Sequence, residues 1–287
     1  MSDLNKEIIL KNIINCSADA KVSTAEIDLL ISELFSVDSL AHKSIYDIRN
    51  EIVSVFENLN NLGSFPDSYS KYETIRERTF VCREIAKKAI KNKNFNYIYI
   101  PKTNNAKIAY WYSNGYAKDA FDTFSSCFAS CTEIQVDSFT AVCEALTDDD
   151  TFGIIPIINS NDGRLTSFYR LLDKYDLKIS ATCKIESSNE YDFTKFALVG
   201  KKLIDTDSAP VKHVEFSTVG DVSDYIYVSE MLGGKINEIT SIPVSHGKGE
   251  CLNYISVLLE TSNIYALWWY LYIFSGETDF IGIYSEI

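Results

Sequence analysis

The stretch Phe152-Gly-Ile-Ile-Pro-Ile-Ile-Asn-Ser-Asn-Asp-Gly163 decides how the rest of the chain is interpreted. Its first half is a continuous, β-branched apolar run, which is typical of a buried strand. A polar turn with Asn159 and Ser160 follows, and then a helical pattern begins. The loop after such a strand, at the start of a helix, is the usual ligand position in open α/β sheets. Backbone N–H groups, Asn159 and Ser160 suit a carboxylate there, although an ordinary capped helix explains the same residues.

Strands and helices alternate on both sides of this stretch. The predicted strands cover residues 107–112, 133–136, 152–157, 177–185 and 194–199, and the predicted helices cover 117–128, 139–146 and 165–175. Alternation of this kind predicts a single α/β lobe with a mostly parallel sheet.

The two flanking regions have different patterns. Residues 1–95 carry apolar residues at helical spacing, which predicts an N-terminal helical domain. Residues 211–287 are predicted to form strand, helix, strand, strand, helix and strand, the βαββαβ order of a ferredoxin-like domain. The predicted fold class is therefore multidomain α+β or α/β, with domains over 1–100, 101–205 and 206–287.

Composition excludes several classes of protein. The 287 residues carry a formal net charge of −13, which argues against a general binder of nucleic acid or anionic membranes. The 7 cysteines form no CxxC pair and no Cys/His zinc spacing, so we expect a reduced, cytoplasmic protein with no metal and no cofactor. The longest apolar run, 264–274, is about half of the roughly 20 residues that span a bilayer.

A second candidate feature is Asp192-Phe-Thr-Lys-Phe196, at the start of a predicted strand. The hydroxyl of Thr194 is able to donate a proton, and Lys195 is able to pair with an anion. A threonine and a lysine are also common at the start of strands that have no catalytic role. No Ser/His/Asp grouping is evident among the 3 histidines, and the chain contains no GxGxxG, Walker or HExxH motif.

The central segments resemble the prephenate dehydratase family. Gly153-Ile-Ile-Pro-Ile-Ile-Asn-Ser160 is similar to that family's GVVPIENS segment, and Thr194-Lys-Phe196 is similar to its TRF segment. Ile108-Ala-Tyr110, followed by Gly115-Tyr116, resembles its opening strand and glycine-rich turn. The similarity implies a lyase that acts on prephenate or a related cyclohexadiene acid in the biosynthesis of phenylalanine and other aromatic amino acids. Thr194 would be the catalytic acid, and Asn159, Ser160 and Lys195 would bind the substrate.

The flanking regions extend the resemblance to the bifunctional chorismate mutase/prephenate dehydratase layout. Residues 211–287 resemble the family's regulatory ACT domain, with Gly220 at the effector-loop glycine and Ile239-Thr-Ser-Ile-Pro243 in place of IESRP. This similarity implies effector binding at Gly220 and Ser241. The N-terminal helices stand where bifunctional members carry chorismate mutase. The implied partners are a small carboxylic acid and a second copy of the chain, held through the ACT-like and helical domains.

Several positions depart from the family. Residues 161–193 are the whole interval between Ser160 and Thr194, where the family has a second lobe, so the usual interlobe cleft cannot form within one chain. Ile158 replaces a glutamate, and Lys195 replaces an arginine and so loses its bidentate fork.

Two alternatives therefore stand beside the lyase. One is a catalytically silent homologue that senses a metabolite or binds a partner. The other places chorismate-mutase-like chemistry in the helical domain, at Arg49, Glu51 and Arg83.

Overall fold

The computed structural model describes residues 105–113, 115–187, 192–204, 206, 208–243, 251–275 and 278–287. In the N-terminal part it describes residue 50 and the helical positions 75–76, 78–80, 82–83 and 86–87. The predicted helical domain over 1–100 thus lies largely outside the described residues, and the three domain boundaries stay predictions.

The described elements alternate much as the sequence predicts. They are, in chain order, β1 (Asn105–Trp111), α1 (Gly115–Ser125), β2 (Ser130–Val136), α2 (Phe139–Glu144), β3 (Thr151–Asn159), β4 (Gly163–Arg164), α3 (Thr166–Tyr175), β5 (Lys178–Glu186), β6 (Phe193–Gly200), β7 (Val211–Val219), α4 (Ser223–Met231), β8 (Lys235–Pro243), β9 (Cys251–Glu260), α5 (Thr261–Phe274) and β10 (Thr278–Tyr284).

The chain divides into two compact units. The first consists of Met1–Phe95, Ser223–Leu232 and Tyr265–Thr278. The second consists of Asn96–Val222, Gly233–Ile264 and Asp279–Ile287, and it holds nearly all of the sheet.

The strands form one mixed sheet in the order β2-β1-β3-β6-β5-β10-β7-β9-β8, with β4 paired to β3. Strand β1 is parallel to both β2 and β3, whereas β6 runs antiparallel to β3 and β5. The prediction of a mostly parallel sheet is therefore wrong. The connection from β5 to β6, residues 187–192, is too short for the crossover of about a dozen residues that a parallel pair needs.

The C-terminal strands continue the sheet of the α/β lobe. Their order, β10-β7-β9-β8, arises from the predicted βαββαβ succession. Strand β10 also pairs in parallel with β5, with Gly282 beside Ile179. The sequence did not predict this continuity, because the predicted boundary between residues 205 and 206 places these strands in a separate domain.

Helices cover both faces of the central strands. On one face, Phe121 and Phe124 of α1 pack with Ile108, Phe152 and Phe196. We call this the α1 face. On the other, the α2–α3 face, apolar residues of α2 and α3 pack with the alternate residues of the same strands: Val142, Phe168, Leu172, Ile155, Ala197 and Val199. Because both faces are covered, the continuous apolar run of β3 lies in the interior.

A substitution at Gly282 tests the pairing of β5 with β10. A Cβ added there would lie 2.8 Å from Ile179 Cβ and 3.0 Å from the Ile179 carbonyl oxygen, so the strands would have to separate. We expect Gly282→Ala to lower the free energy of unfolding by about 1–3 kcal/mol in urea titrations. The control is Gly115→Ala at the start of α1, where an added Cβ would have no atom within 4 Å apart from its chain neighbours and the backbone of its own helix. We expect this variant to be neutral or stabilising by up to about 1 kcal/mol. Equal effects of the two variants would contradict this pairing.

Candidate functional site

The loop that carries the predicted substrate-binding residues Asn159 and Ser160 lies beside β6, the strand that carries the predicted catalytic residue Thr194. Asn159, the last residue of β3, is directly opposite Thr194 of β6 in an antiparallel pair. The N–H of Ser160 donates to the carbonyl of Phe193 at 3.0 Å. That bond makes Asn159 and Thr194 a non-hydrogen-bonded pair, the type in which cross-strand side chains are closest. The structure therefore brings Asn159, Ser160 and Thr194 together.

A β-bulge in β3 sets which face this loop uses. The register with β6 shifts between Pro156 and Ile158, so that one extra residue, Ile157, is inserted. Ile157 and Ile158 both pack on the α2–α3 face. Asn159 follows with its side chain toward the α1 face, the face that Thr194 shares with Phe196.

Three side chains from separate segments meet at the loop, and we call them the Ser160 cluster: Tyr116, Ser160 and Asp192. The Ser160 hydroxyl donates to Asp192 Oδ1 at 3.1 Å, and the Tyr116 hydroxyl donates to Asp192 Oδ2 at 3.0 Å. The N–H of Phe193 donates to Ser160 Oγ at 3.2 Å. Neither Tyr116 nor Asp192 is among the predicted site residues, although both lie in the motifs Gly115-Tyr116 and Asp192-Phe-Thr-Lys-Phe196.

The Ser160 cluster is electronegative. The hydrogen bond from the Tyr116 hydroxyl to Asp192 is the main cause that raises the pKa of Tyr116. Burial and the charges of Asp192 and Asp119 act in the same direction. In the described part of the chain, Asp192 takes part in no ion pair with a lysine or arginine, and its carboxylate accepts from Ser160 and Tyr116. The cluster therefore offers a ligand hydroxyl groups and carboxylate acceptors, and among the described residues no lysine or arginine neutralises Asp192.

The other predicted anchors are arranged differently. The side-chain oxygen of Asn159 accepts from the N–H of Asn161 at 2.8 Å, which is a turn-forming bond. Thr194 is only 3% exposed, so the surrounding chain covers its hydroxyl.

Lys195 points away from the Ser160 cluster. It is directly opposite Ile158, which packs on the α2–α3 face, and it forms an ion pair with Glu286. Successive side chains of a strand point to opposite faces, so Lys195 and Thr194 lie on opposite sides of the sheet. Arg164, also opposite Ile158, forms an ion pair with Glu238. Neither cation is placed beside Thr194.

The two predicted effector residues lie close together. Gly220 follows β7 with a φ of +85°, a conformation that favours glycine. Its carbonyl accepts from Asn253 Nδ2 at 2.9 Å, and Ser241 Oγ donates to Asn253 Oδ1 at 2.6 Å. Asn253 thus joins the predicted pair, and the sequence analysis did not single it out. Effector binding at these residues stays a prediction.

Most residues of the mutase-like alternative lie outside the described part of the chain. Arg49 and Glu51 lie outside the described residues, and Arg83 is an exposed residue at a helical position. Across the described ranges, no group of three or more His, Cys, Asp or Glu side chains is arranged to hold a metal ion. None of the helices described is long and apolar enough to span a membrane.

A second polar network lies buried near the α2–α3 face, and the sequence analysis missed it. The hydroxyls of Tyr169 and Tyr284 donate to Glu215 Oε1 and Oε2 at 2.7 and 2.6 Å. Arg164 in turn donates to the Tyr169 hydroxyl. Burial raises the pKa of Glu215, while the bonds from the two tyrosines oppose that rise. All these groups are satisfied by one another, which is typical of a structural network.

Comparisons with known proteins give a likeness of fold. No protein-family model and no curated protein sequence matches the chain. Among solved structures, prephenate dehydratase from Streptococcus mutans is 17% identical with a TM-score of 0.49, over 63% of this chain and 98% of that chain. Prephenate dehydratase from Arthrobacter aurescens, in complex with L-Phe, is 11% identical with a TM-score of 0.49, over 63% and 90%. GqqA, a quorum quenching acylase, is 14% identical with a TM-score of 0.44, over 62% and 94%.

Proposed function

We propose that the chain is a small-molecule-binding or regulatory protein that has a prephenate dehydratase-like fold and does not dehydrate prephenate. The observation that carries this proposal is the placement of Thr194 and Lys195 on opposite faces of the sheet. A proton donor and an anion partner that face opposite sides of a covered sheet cannot act on one substrate molecule. The Ser160 cluster is then a binding site rather than a dehydration site.

The charge of the Ser160 cluster also disfavours prephenate. Prephenate is a dianion, and Asp192 places a carboxylate at the centre of the cluster. Two like charges about 4 Å apart repel by roughly 1 kcal/mol in water and about 4 kcal/mol at the dielectric typical of a protein surface. Hydroxyls and a carboxylate acceptor instead suit a neutral or cationic ligand that donates hydrogen bonds.

The second candidate is the lyase that the sequence resemblance implies. The observation in its favour is the direct pairing of Asn159 with Thr194. Dehydration of prephenate with loss of CO2 requires a proton for the departing hydroxyl and an anchor for each carboxylate. Lys195, paired with Glu286, does not provide such an anchor beside Thr194. The mutase-like alternative, the homodimer and the cytoplasmic location stay predictions without further support.

A turnover assay separates the two candidates. The full chain, Thr194→Val and Lys195→Met are incubated with prephenate, and formation of the aromatic keto acid is followed by ultraviolet absorbance. We expect the wild type and both variants to match the rate in buffer. A wild-type rate above buffer that disappears in Thr194→Val, with the far-ultraviolet circular dichroism spectrum unchanged, would establish the lyase and end the proposal.

Binding at the Ser160 cluster is tested with three probes that share one ring. Calorimetric titrations use 2-phenylethylamine, 2-phenylethanol and phenylacetate with the wild type and Asp192→Asn. We expect Asp192→Asn to weaken the cationic probe about tenfold, because a charge-assisted hydrogen bond is lost. The neutral probe should change by less. If Asp192→Asn leaves the binding of all three probes unchanged, the cluster is not a binding site.

A further inference from the structure

A cavity of about 230 Å³ lies within the first compact unit. We call it the Arg78 pocket, and its lining consists of Ile75, Arg78, Asp224, Tyr225, Tyr270, Phe274 and Ser275. None of these residues belongs to the Ser160 cluster or to the predicted effector pair. The cavity is smaller than the roughly 300–1,000 Å³ of pockets for drug-sized ligands, so its size suits a ligand with one ring.

Arg78 is the feature of the pocket that needs an explanation. The residue is half-buried, and its Nε is buried without a hydrogen-bond partner. In the described ranges it makes no ion pair, and its guanidinium carbon lies 4.9 Å from the centre of the Phe274 ring. A buried donor on a cation is costly unless an acceptor completes it. An anion bound in the cavity would supply that acceptor.

The walls of the pocket are mainly aromatic. Tyr270 is 4% exposed, and its ring centre lies 5.4 Å from that of Phe274. The side chain of Ile75 is also buried. Such walls match a flat ring, because aromatic pairs are favourable at centroid distances of roughly 4.5–7 Å.

Two hydroxyls line the same cavity. Tyr225 Oη and Ser275 Oγ lie 2.7 Å apart and form a hydrogen bond with each other. Each hydroxyl both donates and accepts, so the pair is able to rearrange its hydrogen bonds toward a ligand oxygen. A carboxylate held by Arg78 has two oxygens and can accept from such a donor.

The charge of Asp224 limits which anions fit. Asp224 lies in the first turn of α4 and also lines the cavity. Its charge is opposite to that of Arg78. Its carboxylate repels a ligand that carries two negative charges, such as phosphate near neutral pH. The positive charge of Arg78 also acts on its neighbours, because it opposes the burial that raises the pKa of Cys82 and Tyr270.

We infer that the Arg78 pocket binds a small aromatic monocarboxylate. The guanidinium of Arg78 holds the carboxylate, and the ring packs against Tyr270 and Phe274. This inference goes beyond the proposed function, because it adds a second site, formed by different residues. The Arg78 pocket prefers an anion, whereas the Ser160 cluster prefers a neutral or cationic ligand. Its failure would leave the Ser160 cluster untouched, and the two sites are told apart by Arg78 and Asp192 variants.

The test is calorimetric titration of the full chain with phenylacetate, 2-phenylethylamine and inorganic phosphate. The variants are Arg78→Gln and, as the matched control, Arg76→Gln, which changes an exposed arginine at a nearby helical position. We expect phenylacetate to bind the wild type and Arg76→Gln within about twofold of each other, and Arg78→Gln about tenfold or more weakly. Phosphate should bind far more weakly than phenylacetate.

Three results would overturn the inference: no binding of phenylacetate at millimolar concentration, binding that Arg78→Gln leaves unchanged, or phosphate binding as tight as that of phenylacetate. If Arg78→Gln does not fold, as judged by circular dichroism, Tyr225→Phe replaces it, because that variant keeps the ring and removes one lining hydroxyl. We expect Tyr225→Phe to weaken phenylacetate about threefold to tenfold. Unchanged binding in a folded Tyr225→Phe would then count against the pocket.

Discussion

Tyr284→Phe is expected to lower the free energy of unfolding by about 1–3 kcal/mol, although it removes a single oxygen. The Tyr284 hydroxyl donates to Glu215 Oε2 at 2.6 Å, and Glu215 is only 2% exposed. Without that donor, a buried carboxylate oxygen loses a bond that water cannot replace. The ring remains, so the stacking of His213 on position 284, with centroids 5.3 Å apart, is kept.

The cost of Tyr284→Phe should depend on pH. Burial raises the pKa of Glu215 in the folded state. The stability that Glu215 contributes is therefore present in acid. It is lost as the pH rises from the ordinary glutamate pKa of about 4.5 through the raised pKa of Glu215. Above the raised pKa the carboxyl is charged, and losing a donor is then most expensive.

Urea unfolding at a series of pH values measures this effect. The control is Glu215→Gln, which has a similar shape and cannot titrate. We expect the difference in stability between the wild type and Glu215→Gln to shift toward the glutamine variant as the pH rises. A difference that is constant with pH would show that Glu215 does not titrate with a shifted pKa.

Phe196→Ala is expected to have the larger effect on stability, about 3–5 kcal/mol. Phe196 is 0% exposed and packs on the α1 face with Phe124 and Ile108. Removing its ring leaves a cavity between the sheet and α1 that rigid neighbours cannot fill.

The control for Phe196→Ala is Phe193→Ala on the same strand. Phe193 is half-buried at the start of β6, and Lys184 Nζ lies 4.5 Å from the centre of its ring. We expect this control to cost less than half as much as Phe196→Ala. Equal losses in thermal or urea unfolding would contradict the burial pattern of β6.

Local patterns were sufficient to predict most elements of the described fold. The apolar run at 152–157 lies within β3, and the helix and two strands predicted after it correspond to α3, β5 and β6. These elements follow from periodicity, which is a local property. The pairing of β10 with β5 was not predicted, because strand order depends on contacts between residues about 100 positions apart, such as Ile179 and Gly282.

The candidate site was only partly predictable. The sequence singled out Asn159, Ser160 and Thr194, and the structure brings them together. The period of two along a strand is a local rule, and it is sufficient to place Lys195 and Thr194 on opposite faces. The bulge at Ile157 could not have been foreseen, since a run of apolar residues carries no mark of an extra residue.

The two polar features that the sequence analysis missed have a common reason. Glu215 meets tyrosines from distant elements, and the Arg78 pocket collects residues from the N-terminal part, α4 and α5. Neither has a spacing motif, because its members come from separate elements. Only the fold shows that Arg78 Nε is buried without an acceptor.

The central claim, that Thr194 faces the substrate loop and Lys195 does not, is tested most directly by disulfide formation. Asn159 and Thr194 form a non-hydrogen-bonded antiparallel pair, whose Cα atoms are separated by about 4.5 Å, a distance that a disulfide can bridge. Under mild oxidation, with the linked peptides mapped by mass spectrometry, Asn159→Cys/Thr194→Cys should form the crosslink and Asn159→Cys/Lys195→Cys should not. Equal crosslinking of the two pairs would contradict the account.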